Sequence, residues 1–489
     1  MHAQTEYLIG MDLGTSSIKA MLCDSDGNLI TKGSTSTTLI NPAKSRVEID
    51  PEQYFLEFTE LVNFLVSKVD NAEEIKAICL SGATGNTLLI NEVGNPLGNA
   101  ISWLDTRTLE EGQDPWPHLD KEHIYYKNGW PYFGTFPLAH LGWLKKNQPE
   151  TWVKAKRFAM LHDFIFHKLC GDWVMDHSKA TTFYLQDQVA KKWNPELLDS
   201  LGIHEDQLPR LCESGEPCGA LIEEARKITG LTSNTQVVTG SFDHPSAARG
   251  TGVFNEGDML ISAGTSWVVF TPIREREIGL SENMLIDPFL SPNGCWGAIF
   301  ALTAVGEKLE NLLSKIIPNP NKDVLYEEFN QLAMEAEPGA GETFINLLNQ
   351  TEIEYEGIAR SSSPKNVCRA LMEGIVFQTS QRVKRVAELT GTNTGKLIFT
   401  GGPTKSKIWS TILADVLNRE ISIPVNGEYA GAMGAVNLGG IGCGIYKDEQ
   451  SGFEMLKQEV RVIAPDAGRS KKYEEIQTRF FEQTIKLSN

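Results

Sequence analysis

The tripeptide Gly-Thr-Ser stands twice in this chain of 489 residues, at Gly14-Thr15-Ser16 and at Gly264-Thr265-Ser266. Apolar runs flank both copies: Tyr7 to Met11 and Ile18 to Cys23 around the first, Met259 to Ser262 and Trp267 to Thr271 around the second. Each copy reads as strand, turn, strand. The two are 250 residues apart, about half the chain. A repeat of that length argues against a solenoid of short period and predicts two similar domains facing each other. The expected boundary is near Val253-Phe254-Asn255-Glu256-Gly257.

Around the first turn the pattern is specific. Asp24 to Asn28 reads as a hairpin turn, and Leu29 to Ser36 as a third strand. Pro51 to Val69 has helical spacing, with Phe55, Phe58, Val62 and Leu65 on one face and Asp50-Pro51 as its start. Ile75 to Leu80 reads as a buried strand, and Thr87 to Asn91 as another. Residues 110 to 230 are mostly helical and aromatic, an elaboration of the first domain. The second half carries helices around Ala304–Ile317, Asn366–Thr390 and Ser406–Asn418.

Several residues in this framework are suited to chemistry. A glycine-containing turn between strands offers backbone N–H groups and a hydroxyl to an anion, and two such turns suit a split nucleotide site. Lys19 follows the first turn and adds charge. Asp12, at a strand end where aspartate does not help the strand, suits Mg²⁺ beside a phosphate cradle. Val237 to Phe242 runs as an apolar strand into Asp243-His244, a placement that fits a general base and equally a helix cap. Gly401-Gly402-Pro403-Thr404-Lys405-Ser406 follows a strand and opens a helix, so the backbone is free to approach a flat ligand. Trp103, Asp105 and Arg107 alternate, so an extended segment puts them on one face. That face suits a sugar, or an Asp–Arg pair at a domain surface.

Composition removes other classes. The chain has 45 Lys and Arg against 63 Asp and Glu, a net charge of −18. So acidic a surface repels nucleic-acid backbones and anionic lipid. Neither nucleic acid nor membrane is expected as a partner. No apolar run nears the ~20 residues that span a bilayer. Met1 to Glu6 has no secretory pattern. Eight cysteines without a C-x-x-C pair read as reduced thiols, with no zinc site. A cytoplasmic location is expected. No P-loop, H-E-x-x-H, kinase catalytic loop or G-x-S-x-G is present.

Taken in order, these segments resemble the FGGY carbohydrate kinase family, within the actin, Hsp70 and sugar-kinase fold. The likeness begins at Ile9 to Lys19 and includes Trp103-x-Asp105-x-Arg107 and Pro137 to Glu150. It runs on through Thr239 to Gly252, Gly264-Thr265-Ser266, Gly401-Gly402-x-x-x-Ser406-x-x-Trp409 and Ala430 to Ala435. The resemblance implies an α/β fold of two domains with duplicated ribonuclease-H-like cores around a cleft. Residues 1–255 would be the sugar-binding domain and 256–489 the nucleotide-binding domain. It implies ATP and Mg²⁺, a small ketose or polyol as acceptor, and Asp243 as the catalytic base. Asp12 and Asp243 would serve the metal. Gly14, Thr15, Ser16, Lys19, Gly264 and Thr265 would hold phosphates, and Gly401, Gly402 and Ser406 the adenine side. Ala83, Thr84, Trp103, Asp105, Asp243 and His244 would face the sugar. A homodimer is compatible with the resemblance and not required by it. The rival readings are an actin- or Hsp70-like ATPase and a catalytically silent sugar-binding regulator.

Two departures fall on the sugar side. Xylulokinases of the family carry Gln-Met-His-Gly where this chain has Ala83-Thr84-Gly85-Asn86, and Asp-Asn where it has Asp243-His244. They predict a small ketose or polyol other than D-xylulose.

Overall fold

The computed structural model describes residues 5–110, 112–290, 292–317, 321–348 and 361–485. The chain divides into two compact units. The first holds residues up to Phe254, Ile273–Ala298 and Tyr429–Lys457; the second holds Asn255–Pro272, Ile299–Glu428 and the chain from Gln458 on.

In the first unit six strands form one sheet. They are β1 (Tyr7–Leu13), β2 (Ser17–Asp24), β3 (Leu29–Ser36), β4 (Ile75–Gly82), β5 (Pro217–Ala220) and β6 (Gln236–Phe242), in the order β5-β6-β4-β1-β2-β3. β1, β2 and β3 are an antiparallel meander, as the alternation predicts. β4 lies parallel to β1 and to β6, and β5 is antiparallel to β6.

Both faces of the sheet are covered, which is why its central strands are apolar almost throughout. Ile9, Met11, Leu13, Ile78 and Leu80 pack with helix α1 (Pro51–Val66) through Phe55, Phe58, Val62 and Leu65. Asp50 caps α1, accepting from the N–H groups of Glu52 and Gln53. Two further helices lead to the site, α2 (His177–Phe183) and α3 (Asp243–Thr251). On the opposite face Leu8, Met21, Ala77, Cys79 and Val238 pack with Ala432, Met433, Ala435 and Val436 of helix α4 (Ala430–Gly442). The sheet is thus completed by a segment that follows most of the second unit in the chain.

The second unit repeats the plan. Strands β7 (Met259–Ala263), β8 (Trp267–Ile273), β9 (Trp296–Leu302), β10 (Leu397–Gly401), β11 (Ile421–Pro424) and β12 (Val460–Ile463) lie in the order β12-β11-β10-β7-β8-β9. β7 pairs antiparallel with β8 and parallel with β10; β10 is parallel to β11, and β11 antiparallel to β12. Six of the seven strands of this sheet follow the order of the first sheet, with β7 and β8 in the places of β1 and β2. The half-chain repeat of Gly-Thr-Ser therefore marks two cores of one topology. Among the described residues no helix is long and apolar enough to cross a membrane.

Candidate active site

In the first unit the carboxyl ends of three parallel strands meet at one edge of the sheet. Leu13 of β1 and Phe242 of β6 both stand opposite Gly82 of β4. Asp12, Ala83 and Asp243 therefore leave three neighbouring strands at the same end, the end where open α/β sheets present ligand-binding groups.

Asp12 points to the face covered by α4. A β-carbon on Gly431 would lie 2.6 Å from its Oδ2, so a side chain there would displace the Asp12 carboxyl. Burial pushes the Asp12 carboxyl up to about 7; the neighbouring charge of Asp243 adds to the rise, and Lys19 opposes it. Lys19 stands across the β1–β2 ladder from Asp12. Two carboxylates near enough to repel each other, with one lysine near, make a place that favours a cation.

Asp243 opens α3 directly after β6. Its Oδ1 accepts from the His244 backbone N–H at 2.6 Å, and the His244 Nε2 lies 3.8 Å from the same oxygen. The imidazole stands edge-on to Phe242, ring centres 5.5 Å apart. Asp243 thus does not cap α3 through its own side chain in the way the cap reading requires; the cap residue is Phe242.

The peptide before Asp243 is held from below. Phe242 donates its N–H to Ser178 Oγ at 3.0 Å, and Ser178 of α2 donates to Asp287 Oδ2 at 2.7 Å. Asp287 is fully buried, and its Oδ1 has no hydrogen-bond partner among the described residues. Burial pushes this carboxyl up to about 7; the bond from Ser178 and the charge of Arg249 lower it, and Asp176 and Asp243 raise it. A folded-state value above the ordinary 3.8 means the fold keeps a proton that the unfolded chain gives up. Stability is then lost as pH rises from about 4 to 7. Asp287→Asn, which can still accept from Ser178, is expected to remove this loss. The melting temperature of the variant should gain on the unaltered chain between pH 5 and pH 8. Parallel curves would contradict it.

The first Gly-Thr-Ser turn is fastened at each residue. Tyr54 donates its hydroxyl to the Gly14 carbonyl at 3.1 Å, Thr37 Oγ1 donates to the Thr15 carbonyl, and the Thr37 N–H donates to the Ser16 carbonyl at 3.1 Å. Thr15 Oγ1 accepts from Trp103 Nε1 at 3.0 Å.

The sugar-side residues separate. Trp103 remains about one third exposed, whereas Asp105 is fully buried. Only Ala100–Ile101 is strand, and Arg107–Leu109 is a short 3₁₀ turn, so the alternation of Trp103, Asp105 and Arg107 does not put them on one face. The cause is local: Asp105 Oδ1 accepts from the Arg107 N–H and Nε, both at 2.9 Å, and Oδ2 accepts from Arg107 Nη2 and the Val47 N–H, both at 2.8 Å. A short carboxylate that bonds the backbone two residues on makes a turn and ends the strand. Ala83 donates its N–H to the Leu13 carbonyl at 3.1 Å. Thr84 is buried, its hydroxyl accepting from Thr182 at 2.7 Å. Trp130, Phe136 and Phe242 form an aromatic wall beside this loop, with Trp130 ring centres 5.8 Å from Phe136 and 5.5 Å from Phe242.

In the second unit, Gly264-Thr265-Ser266 joins β7 to β8, and the Gly264 N–H donates to the Ser266 carbonyl at 3.0 Å. Gly306, at the start of helix Val305–Ile316, donates to the Thr265 carbonyl at 2.9 Å. Gly401 ends β10 opposite Ala263. Its φ of +101° and the 1.9 Å separation of a notional β-carbon from the Ala263 carbonyl oxygen both require glycine. Gly402 has open space where a side chain would stand, and Ser406 takes the N-cap position of helix Lys407–Leu417 without a side-chain cap bond. The turn and the paired glycines therefore lie at adjoining strand ends within this unit. Ser178, Asp287 and Gly431 have no local sequence signal, because each acts through a partner more than 60 residues away.

Residues 7–250 match the N-terminal domain of the FGGY family of carbohydrate kinases, and residues 259–443 match its C-terminal domain. The chain is 27% identical to a xylulose kinase of Bacillus subtilis over 96% of its own length and 94% of that protein's. It is 24% identical to a gluconokinase of Bacillus licheniformis, over 99% and 97%. The crystal structure of a gluconate kinase from Lactobacillus acidophilus superposes with a TM-score of 0.86 at 21% identity, covering 99% of this chain and 98% of that one. This last likeness is one of fold: two α/β domains of the actin, Hsp70 and sugar-kinase class.

Proposed function

Because the chain belongs to the FGGY family of carbohydrate kinases, and so phosphorylates a sugar at the expense of ATP, we propose that Asp243 is the base of that reaction. The acceptor hydroxyl oxygen forms a bond to the terminal phosphorus of ATP. The bond from that phosphorus to the β–γ bridging oxygen breaks, ADP departs with the electron pair, and the hydroxyl proton passes to Asp243. Phosphoryl transfer asks the protein mainly for position and for charge stabilisation. The observation that carries this reading is the convergence of Asp12, Ala83 and Asp243 at one sheet edge.

Asp12 and Asp243 fit Mg²⁺, which is commonly held by one or two carboxylates together with substrate phosphates. The support is the raised Asp12 carboxyl, which a cation beside it would return toward its ionised form. When bound, Mg²⁺ would neutralise charge on the phosphates. Gly14, Thr15, Ser16 and Lys19 are proposed to receive the transferred phosphate, and Gly264, Thr265, Gly401, Gly402 and Ser406 the remainder of the nucleotide. The first unit would then serve the acceptor and the second the nucleotide, in the cytoplasm where ATP is made. Trp103 and His244 are proposed to contact the sugar, with Asp105 holding the Trp103 loop through Arg107.

The acceptor is proposed to be a small ketose or polyol other than D-xylulose. With Thr84 buried, Ala83-Thr84-Gly85 brings little side-chain hydrogen bonding to a sugar. A hydroxyl buried there without a partner costs ~1–3 kcal/mol. The test is ADP release with D-xylulose, D-gluconate, other ketoses and polyols. Sugar-dependent release supports the kinase reading over a sugar-independent ATPase or a silent regulator. A kcat/KM for D-xylulose about tenfold or more above every other acceptor, ~1.4 kcal/mol of preference, would overturn the acceptor assignment.

A further inference from the structure

We propose that Trp103 is a positioning residue for the Thr15 hydroxyl, setting it to donate to the terminal phosphate of the nucleotide. The inference rests on the reading of the first Gly-Thr-Ser turn as a phosphate cradle and adds to it a residue on the acceptor side.

The indole N–H is a donor only, while a threonine hydroxyl has one proton and two acceptor lone pairs. Trp103 Nε1 lies 3.0 Å from Thr15 Oγ1, so it fills one of those lone pairs. The hydroxyl proton is thereby turned away from Trp103, and its rotation is restricted. The bond also polarises the hydroxyl and makes it a better donor. The carbonyls of Gly14, Thr15 and Ser16 are already tied to Tyr54 and Thr37, so the turn's backbone is fixed without Trp103. The indole fixes the Thr15 side chain.

Trp103 does this from the acceptor side. A β-carbon on Gly85 would lie 3.3 Å from Trp103 Cβ, so the indole's stem packs on the Ala83–Gly85 loop while its N–H reaches Thr15. Trp103 is about one third exposed. A single side chain therefore spans the loop proposed for the sugar and the turn proposed for the phosphate. An acceptor that presses on the ring moves, or steadies, the hydroxyl facing the phosphate.

The test uses the full chain and two probes, the magnesium complexes of ADP and of the β,γ-imido analogue of ATP, followed by calorimetry. Trp103→Phe keeps a ring and loses the N–H. Thr15→Val keeps the shape and loses the hydroxyl. Each is expected to weaken the triphosphate analogue by about tenfold to a hundredfold, the effect of one hydrogen bond to a charged group, and ADP by less than twofold. The double variant should bind no more weakly than Thr15→Val alone. Thr15→Ser, which retains the hydroxyl, should keep the preference for the triphosphate. Additive losses in the double variant, equal losses for ADP, or a Thr15→Ser variant as weak as Thr15→Val would overturn the proposal. Those results leave the kinase reading standing, whereas failure of the unaltered chain to bind either nucleotide overturns both.

Discussion

Asp243→Asn is expected to fold, to bind nucleotide, and to lose sugar-dependent phosphoryl transfer by about 10²–10⁴, the usual contribution of a positioned base. The substitution is nearly isosteric. The carboxylate is partly exposed, and its one short local bond, from the His244 N–H to Oδ1, can be kept by an amide oxygen. The amide cannot take a proton from the acceptor. It also removes the charge that helps to raise Asp12, so the nearby carboxylate should ionise more readily in the variant. Nucleotide binding by calorimetry and ADP release in the presence of the best acceptor separate these effects. A variant that turns over at the unaltered rate would remove Asp243 from the mechanism.

Gly434→Ala should destabilise the first unit although alanine is the better helix former. In a free helix the change favours the helix by about 1 kcal/mol. Here the added carbon would stand 1.9 Å from the Ser246 carbonyl oxygen and 2.7 Å from its carbon, both backbone atoms of α3. The neighbouring contacts are as close: a β-carbon on Gly250 would lie 2.0 Å from the Ala430 oxygen, and one on Gly10 2.1 Å from the Ala432 oxygen. Ser246 Oγ ties the crossing by donating to the Gly431 carbonyl at 2.8 Å. Backbone cannot give way as a flexible side chain does. Overpacking of this kind costs about 1–3 kcal/mol and occasionally more, enough to exceed the propensity gain. Because α3 begins at Asp243 and α4 reaches Asp12, activity should fall along with the denaturation midpoint. A midpoint at or above that of the unaltered chain would show that the crossing relaxes freely.

The parts of the site that could be read from sequence are those encoded within a few residues. Asp12 and Gly14 follow from an apolar run that stops at a turn, Asp243 from an apolar run that opens a helix, and Gly401 from a strand ending in paired glycines. The second half repeats the strand–turn–strand pattern, so the duplicated core was visible too. What sequence spacing missed depends on partners brought together by folding. Asp287 reaches Phe242 only through Ser178, 109 residues earlier in the chain. Asp105 has the right spacing to share a face with Trp103, but its bonds to Arg107 and Val47 make a turn instead. The glycines after Ala430 stand out as a cluster, yet nothing local says that they press on β1 and α3.

The late return of α4 has a consequence for synthesis. A ribosome that has released residues 1–254 has delivered every strand of the first sheet, but only one of its two coverings. Leu8, Met21, Ala77, Cys79 and Val238 then have no helix over them until Ala430–Gly442 emerges. Nearly two hundred further residues must be translated first, about 10–40 s at ordinary elongation rates. Through that interval the nascent chain carries a bare apolar sheet face, the kind of surface that holdase chaperones recognise and that aggregates when left alone. The first half is therefore made first and finished last, and a chain stopped before residue 430 leaves the Asp12 end of that sheet uncovered.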